Sequence, residues 1–181
     1  HFQFVEKREN QHTLLFVGRI IPLKGLDLLL RALPKLHHPF ELLIVGDGEA
    51  EEKAKLMAMA EETHVAQHIH WLGFQSGEPL ADAYRRASVF VLPTREDCFG
   101  LVLLEALCSG TPIVASKYAD GAYDTVHSGE NGLIVDPEDA DALAEAIDSI
   151  LGSEEIQRRY SQNCRQYIPQ FEFEAVMQGY L

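Results

Sequence analysis

Apolar residues in this chain gather into short uninterrupted runs: 13–17 (TLLFV), 41–45 (ELLIV), 68–72 (HIHWL), 88–92 (SVFVL), 112–115 (PIVA) and 132–135 (GLIV). Runs of this length without polar alternation predict parallel strands covered by helices on both faces. Longer stretches between them repeat at helical spacing, over 25–36, 49–63, 78–87, 100–109 and 139–151. Leu26, Leu29, Leu30 and Leu33 mark the inner stripe of the first, and Leu143, Ala146, Ile147 and Ile150 that of the fifth. Gly152 is placed to end that fifth helix, and Ser153 to start another reaching about Gln166. The closing FEFEAVMQGYL reads as a last helix beginning near Glu172. Strand and helix alternate throughout, which predicts a doubly wound, Rossmann-like α/β domain of about six parallel strands with helices on both faces. It is expected to occupy 12–181, with the polar residues 1–11 as a leading linker or tag remnant.

The 181 residues carry 28 acidic against 15 basic side chains, a formal net charge of −13. A surface this acidic disfavours nucleic acid and anionic membranes, both of which need an extended basic footprint. A phosphate ligand must therefore rely on local cations and backbone donors. No apolar run approaches the roughly 18 residues of a membrane span. Three cysteines (Cys98, Cys108, Cys164) without CxxC spacing encode neither a disulfide framework nor a zinc site, which favours a reducing, cytoplasmic setting. The chain starts at His1 rather than Met, so a fragment of something longer is expected.

Several familiar motifs fail. Gly46-Asp47-Gly48 follows a strand, but Glu51 stands where a dinucleotide-binding fingerprint needs its third glycine. There is no Walker A sequence and no nucleophile elbow. His37, His38, His64, His68 and His70 form no helical metal pair with a carboxylate and read as surface or packing residues, so neither metal nor cofactor is expected. Asp136, Glu138, Asp139, Asp141 and Glu145 read as a helix N-terminus and a solvated face.

Two places offer chemistry. The first strand ends in Gly18-Arg19, and Lys24-Gly25 opens the next helix, so both cations overhang the carboxyl end of the sheet, where ligands of such folds bind. A diphosphate suits them; two solvated loop residues is the alternative. The fourth strand leads into PTREDCFG and a helix LVLLEALCSG, whose first-turn amides face the same crevice. Glu105 lies among leucines in that helix, eight residues after Asp97, and a half-buried carboxylate needs a polar partner. Ribose hydroxyls are one candidate; a salt bridge to Arg19 or Lys24, or simple exposure, is the other.

Taken together these segments resemble a known family. FVGRIIPLKGLDLLLRAL, LLIVGDGEAEEKAKLMA, HWLGFQSGEPLADAYRRASVFVLPT, EDCFGLVLLEALCSGTPIVAS and NGLIVDPEDADALAEAI are similar, in that order, to the nucleotide-sugar half of group 1 (family 4) retaining glycosyltransferases. The resemblance spans about residues 12–180 and implies the C-terminal domain of a two-domain GT-B enzyme, without its N-terminal acceptor domain. It implies that Arg19 and Lys24 hold the donor diphosphate and that Glu105 binds ribose. Leu72 and Gly73 fall where the nucleobase sits, and Gly18, Phe99, Gly100 and Leu101 fall beside the phosphates or sugar. The first glutamate of the E-x7-E motif is replaced by Asp97, with Glu96 beside it, so the sugar contact belongs to one or the other. A glycine pair before a glutamate appears as Asp120-Gly121, with Asp124 at the acidic position.

The function this implies is retaining transfer of a hexosyl unit from a nucleoside diphosphate sugar. Arg19, Lys24 and Asp97 would be its catalytic residues, the acceptor would belong to the missing domain, and this fragment alone would be inactive. Membrane contact, at the inner face, would go through the missing half. A GT-B-fold epimerase or phosphorylase, and a non-catalytic nucleotide-sugar-binding module, are the alternatives.

Overall fold

The computed structural model describes Phe2, residues 12–98 and residues 100–168. The expected last helix from Glu172, most of the leading segment and Phe99 lie outside the described residues. Six strands, β1 (Thr13–Val17), β2 (Glu41–Val45), β3 (Ile69–Gly73), β4 (Val89–Leu92), β5 (Ile113–Ser116) and β6 (Gly132–Val135), form one sheet in the order β3-β2-β1-β4-β5-β6. Every pairing is parallel. Among the described residues seven α-helices accompany them: α1 (Leu26–Ala32), α2 (Ala50–Glu62), α3 (Gly77–Arg86), α4 (Leu101–Cys108), α5 (Ala122–Thr125), α6 (Ala140–Leu151) and α7 (Glu154–Tyr167). Among the described residues no helix is long and apolar enough to cross a membrane.

The pleat divides every strand but β3 between two cores. Leu14, Phe16, Leu42, Ile44, Val89, Val91 and Val114 meet α1, α2 and α6 on one face. Leu15, Leu43, Val45, Phe90, Leu92, Ile113 and Ala115 meet α3, α4 and α5 on the other. Helix α7 serves both, through Tyr160 on the first side and Cys164 on the second. Successive side chains of a strand point to opposite faces, so an unbroken apolar run fills two cores at once.

The structure departs from the sequence reading at four places. Strand β3 is not buried on both faces: His70 and Leu72 are exposed while Ile69 and Trp71 pack inward. After this edge strand the chain crosses to β4, and α3 lands over β1, leaving the second face of β3 bare. The first helix stops at Ala32 and gives way to a 3-10 turn over Leu33–Lys35, because Pro34 has no N–H for the helical ladder. Gly152 follows α6 with an ordinary right-handed conformation (φ −76°), so its lack of a side chain is used for space. A Cβ there would lie 2.5 Å from the His38 ring. The short helix α5 carries no periodicity and was not expected.

His37 and His38 have a packing role: each donates its backbone N–H to Asp148 of α6 and places Nδ1 against the same carboxylate, at 2.8 and 3.1 Å. Asp139 caps α6 by accepting from the amides of Asp141 and Ala142, both at 3.0 Å. The acidic run is thus a helix start, with Asp136 paired to Lys117 and Glu138 to Arg95.

The failed fingerprint glycines serve backbone contact. Gly46, with φ +146°, follows β2 so closely beside the end of β1 that a Cβ would fall 1.8 Å from the Gly18 carbonyl oxygen. At Gly48 it would fall 2.2 Å from the Ile20 carbonyl. We expect Gly46→Ala to cost roughly 3 kcal/mol or more, because backbone must move. Gly129→Ala, at φ +83° in open space, should cost only the left-handed penalty of about 1 kcal/mol. Urea unfolding of both variants checks this, and equal losses would show that the close approach carries no weight.

Candidate functional site

Strand order reverses between β1 and β4, so the loops that follow them diverge to opposite faces and leave a crevice at their carboxyl ends. A set of contacts holds these loops together. The Leu23 carbonyl accepts the Arg95 N–H at 2.8 Å and, at 3.0 Å, shares the proton of the buried Thr94 hydroxyl with the Glu96 carbonyl at 2.7 Å. Gly25 (φ +69°) lies so close to the β4 loop that a Cβ would fall 2.0 Å from the Pro93 carbonyl oxygen. Arg95 then grips Asp27 of α1 with two parallel bonds of 2.8 Å and reaches the Pro22 carbonyl and Glu138.

This clamp sets Lys24 against Asp97. Lys24 Nζ donates to Asp97 Oδ2 at 2.5 Å, while Asp97 Oδ1 accepts the Gly100 N–H at 2.9 Å. The Asp97 carboxylate thus spans a cation and the amide immediately before α4. The first-turn amides of α4, those of Leu101 and Val102 included, have no carbonyl partner within the helix. Gly100 (φ +55°) turns the chain into that helix. The backbone of Asp97 is fixed from its far side too: its N–H reaches the Tyr118 carbonyl at 3.2 Å, and its own carbonyl accepts the Asp120 N–H at 2.8 Å. The loop that carries Asp120-Gly121 therefore abuts Asp97 directly.

The remaining site residues spread along the same edge. Gly18 leaves β1 with its N–H on the Val45 carbonyl at 3.0 Å, and Arg19 beside it is exposed, its side chain making no hydrogen bond or ion pair among the described residues. Gly73 closes β3 at φ +69°, its carbonyl accepting the Gly46 N–H at 2.9 Å, and Leu72 is exposed. Glu96 is exposed and Leu101 partly so, whereas Phe99 lies outside the described residues. Glu105 makes neither of the expected salt bridges. It is half-buried and accepts a hydrogen bond from the Tyr84 hydroxyl of α3 at 2.8 Å. Burial pushes its carboxyl above the ordinary glutamate value, against the lowering effect of that bond.

Lys24, Asp97, Gly100 and Leu101 thus meet at one spot, with Arg19 on the adjoining loop. The sequence reading missed Thr94, Arg95, Asp27 and Tyr84. Arg95 and Thr94 stand in the quoted loop, but only the contacts made across the crevice distinguish them from solvated residues. Among the described residues no group of three or more His, Cys, Asp or Glu could hold a metal ion.

The model of the family described as "Glycosyl transferases group 1" matches residues 1–167. An uncharacterized glycosyltransferase of Methanocaldococcus jannaschii is 34% identical over 146 residues, covering 80% of this chain and 37% of that protein. Sucrose-phosphate synthase from Thermosynechococcus elongatus superposes with a TM-score of 0.82 at 31% identity, over 93% of this chain and 44% of that one. HepE of Anabaena, solved with UDP and glucose, shares the fold with a TM-score of 0.83 at 22% identity, over 95% of this chain and 49% of its own. The chain spans less than half the length of each of these proteins.

The clamp yields a stability expectation. Burial alone would raise the Asp27 carboxyl, but the hydrogen bonds and charge of Arg95 outweigh it and hold the group below the ordinary 3.8. A depressed carboxyl stabilises the fold above its unfolded value and loses that contribution as pH falls through the folded one. Arg95→Ala should cost roughly 1.5–3 kcal/mol at neutral pH. The difference from the parent should shrink as the pH falls below 3.8 and on through the lower value of the folded carboxyl. Denaturant titrations from pH 7 to 3 check this; a loss independent of pH would mean Arg95 acts by packing alone.

Proposed function

The chain belongs to the group 1 glycosyl transferases, and from that premise we propose that it is the donor-binding domain of an enzyme that transfers a hexosyl unit from a nucleoside diphosphate sugar with retention at the anomeric carbon. The observation that carries this reading is the meeting of Lys24 with the start of α4 at the point where strand order reverses, bridged by the Asp97 carboxylate. An anionic group is already held there, one oxygen on a cation and the other on the amide that precedes the helix, which is the environment a diphosphate requires. HepE, with UDP and glucose bound, gives the reading a parallel within the same fold.

In this mechanism the bond from the anomeric carbon to the phosphate oxygen breaks, and its electron pair leaves with the diphosphate. Lys24, Arg19 and the α4 amides stabilise that growing charge, a role in which preorganised donors outperform water. Glu105 binds the ribose hydroxyls, and the exposed edge at Leu72 and Gly73 receives the nucleobase. Asp97 and the Asp120 backbone border the sugar, with Glu96 beside them. A second domain, facing these loops, supplies the acceptor and any membrane contact.

Calorimetric titration with UDP, GDP and their hexose conjugates tests the assignment. Lys24→Ala and Glu105→Ala should each weaken free nucleotide and nucleotide sugar alike, by about tenfold or more for loss of a charge-assisted contact. Asp97→Asn should weaken only the nucleotide sugar and leave the free nucleotide as tight or tighter, since a negative charge beside the diphosphate is removed. If Asp97→Asn weakened both equally and Glu105→Ala neither, these roles would be wrong. The 181-residue chain should bind donor without turning it over, and product formation above uncatalysed donor hydrolysis would refute the need for a second domain.

A further inference from the structure

Tyr84 is completely buried, an uncommon place for a phenol unless its hydroxyl is used. Its ring packs against Phe90, with centroids 5.5 Å apart, and edge-on against Phe2 at 5.8 Å. The Thr111 hydroxyl donates to its backbone carbonyl at 2.8 Å. Held in this way, the phenol oxygen stands 2.8 Å from Oε2 of Glu105 and 3.2 Å from the Val102 carbonyl. A phenol has one proton to donate, and the nearer, anionic acceptor takes it. Burial first, then the charge and hydrogen bond of Glu105, keep the phenol protonated far above neutrality, so it remains a donor. No lysine or arginine pairs with Glu105 among the described residues. Cys108, one turn along α4, has its thiol pushed up to about 12 by burial and by Glu105, and so is neutral as well.

A carboxylate has two oxygens and rotates about its last side-chain bond. To accept two vicinal hydroxyls it must present a fixed plane, and the rotational freedom lost on binding lowers affinity unless removed beforehand. Here one oxygen is already committed to a group that cannot move. We propose that Tyr84 is a positioning residue: by donating to Oε2 it sets the plane of the Glu105 carboxylate so that the remaining lone pairs accept the ribose hydroxyls of the donor. This rests on the donor-binding reading above, and the experiment separates the two.

Tyr84→Phe deletes one hydroxyl and leaves the ring packing intact. It is titrated with UDP and with 2′,3′-dideoxy-UDP, beside the parent chain, Glu105→Ala and the double variant. Tyr84→Phe should bind UDP about tenfold more weakly, because the Glu105 side chain must then be ordered on binding rather than beforehand, and bind the dideoxy ligand as the parent does. Glu105→Ala should abolish the preference for UDP over its dideoxy form, and the double variant should be no weaker than Glu105→Ala. In the unmodified chain, the Tyr84 hydroxyl proton followed by NMR should persist and exchange more slowly with UDP bound, a measurement that does not depend on any variant folding. Unchanged UDP binding by Tyr84→Phe, with the preference lost in Glu105→Ala, overturns the positioning role and leaves the donor reading standing. Loss of the hydroxyl proton on UDP binding overturns it too. A parent chain that binds the two ligands equally overturns the ribose assignment itself.

Discussion

The floor of the crevice is set where two loops from adjacent parallel strands, before they diverge, approach almost to backbone contact. Gly25 is what permits this, since any side chain there would enter the Pro93 carbonyl. The Leu23 carbonyl, taking two donors from Thr94 and Arg95, makes the approach favourable. The separation of Lys24 from the start of α4 is a by-product of that approach, as is the angle at which α4 leaves the sheet. A displacement of one ångström would take a 2.5 Å contact out of hydrogen-bonding range. Loop geometry, rather than the cations themselves, is the scarce element of the site.

Electrostatics work at two ranges. At long range a chain of net charge −13 repels anions, but salt screens that repulsion within roughly 8 Å at physiological ionic strength. Elsewhere on the surface cations are matched by acids: Lys35 with Asp141, Lys53 with Asp47, Lys117 with Asp136, Arg85 with Glu78. Exposed pairs like these add little stability, but they leave little positive charge to scatter anions across the surface. Arg19 has no such partner among the described residues, and neither do the exposed Arg86 and Arg158, but of these it is Arg19 that follows β1 into the crevice.

Much of the architecture was legible in the sequence because parallel strands and their crossover helices write strong periodic signals. The six strands and the longer helices followed from runs and leucine stripes to within about a residue. The exceptions have physical causes. β3 has the same apolar run as its neighbours, yet only strand order, a non-local property, decides that one of its faces stays bare. α5 is four residues long, too short for any period to register. At the site, Arg19, Lys24 and Asp97 could be placed at strand ends from local sequence. Tyr84 could not be tied to Glu105, because 21 residues and an intervening strand separate them. Arg95 reads as a loop cation until Asp27, 68 residues away, is brought beside it. Side-chain pairs between distant elements are set by the topology and leave no local pattern.

The carboxylate that bridges Lys24 and the Gly100 amide has a consequence for which molecules can enter. It is a competitor carried on the same chain, so it faces the cation at the effective concentration of a short tether, on the order of millimolar. A small free anion offers the same two contacts at lower concentration and gains nothing by exchange. A ligand wins only by bringing additional contacts elsewhere along the strand ends, so that displacement of Asp97 is offset by binding it did not have to contest. On the proposed function, selectivity for extended ligands over inorganic phosphate follows from an acidic side chain that excludes more than it attracts.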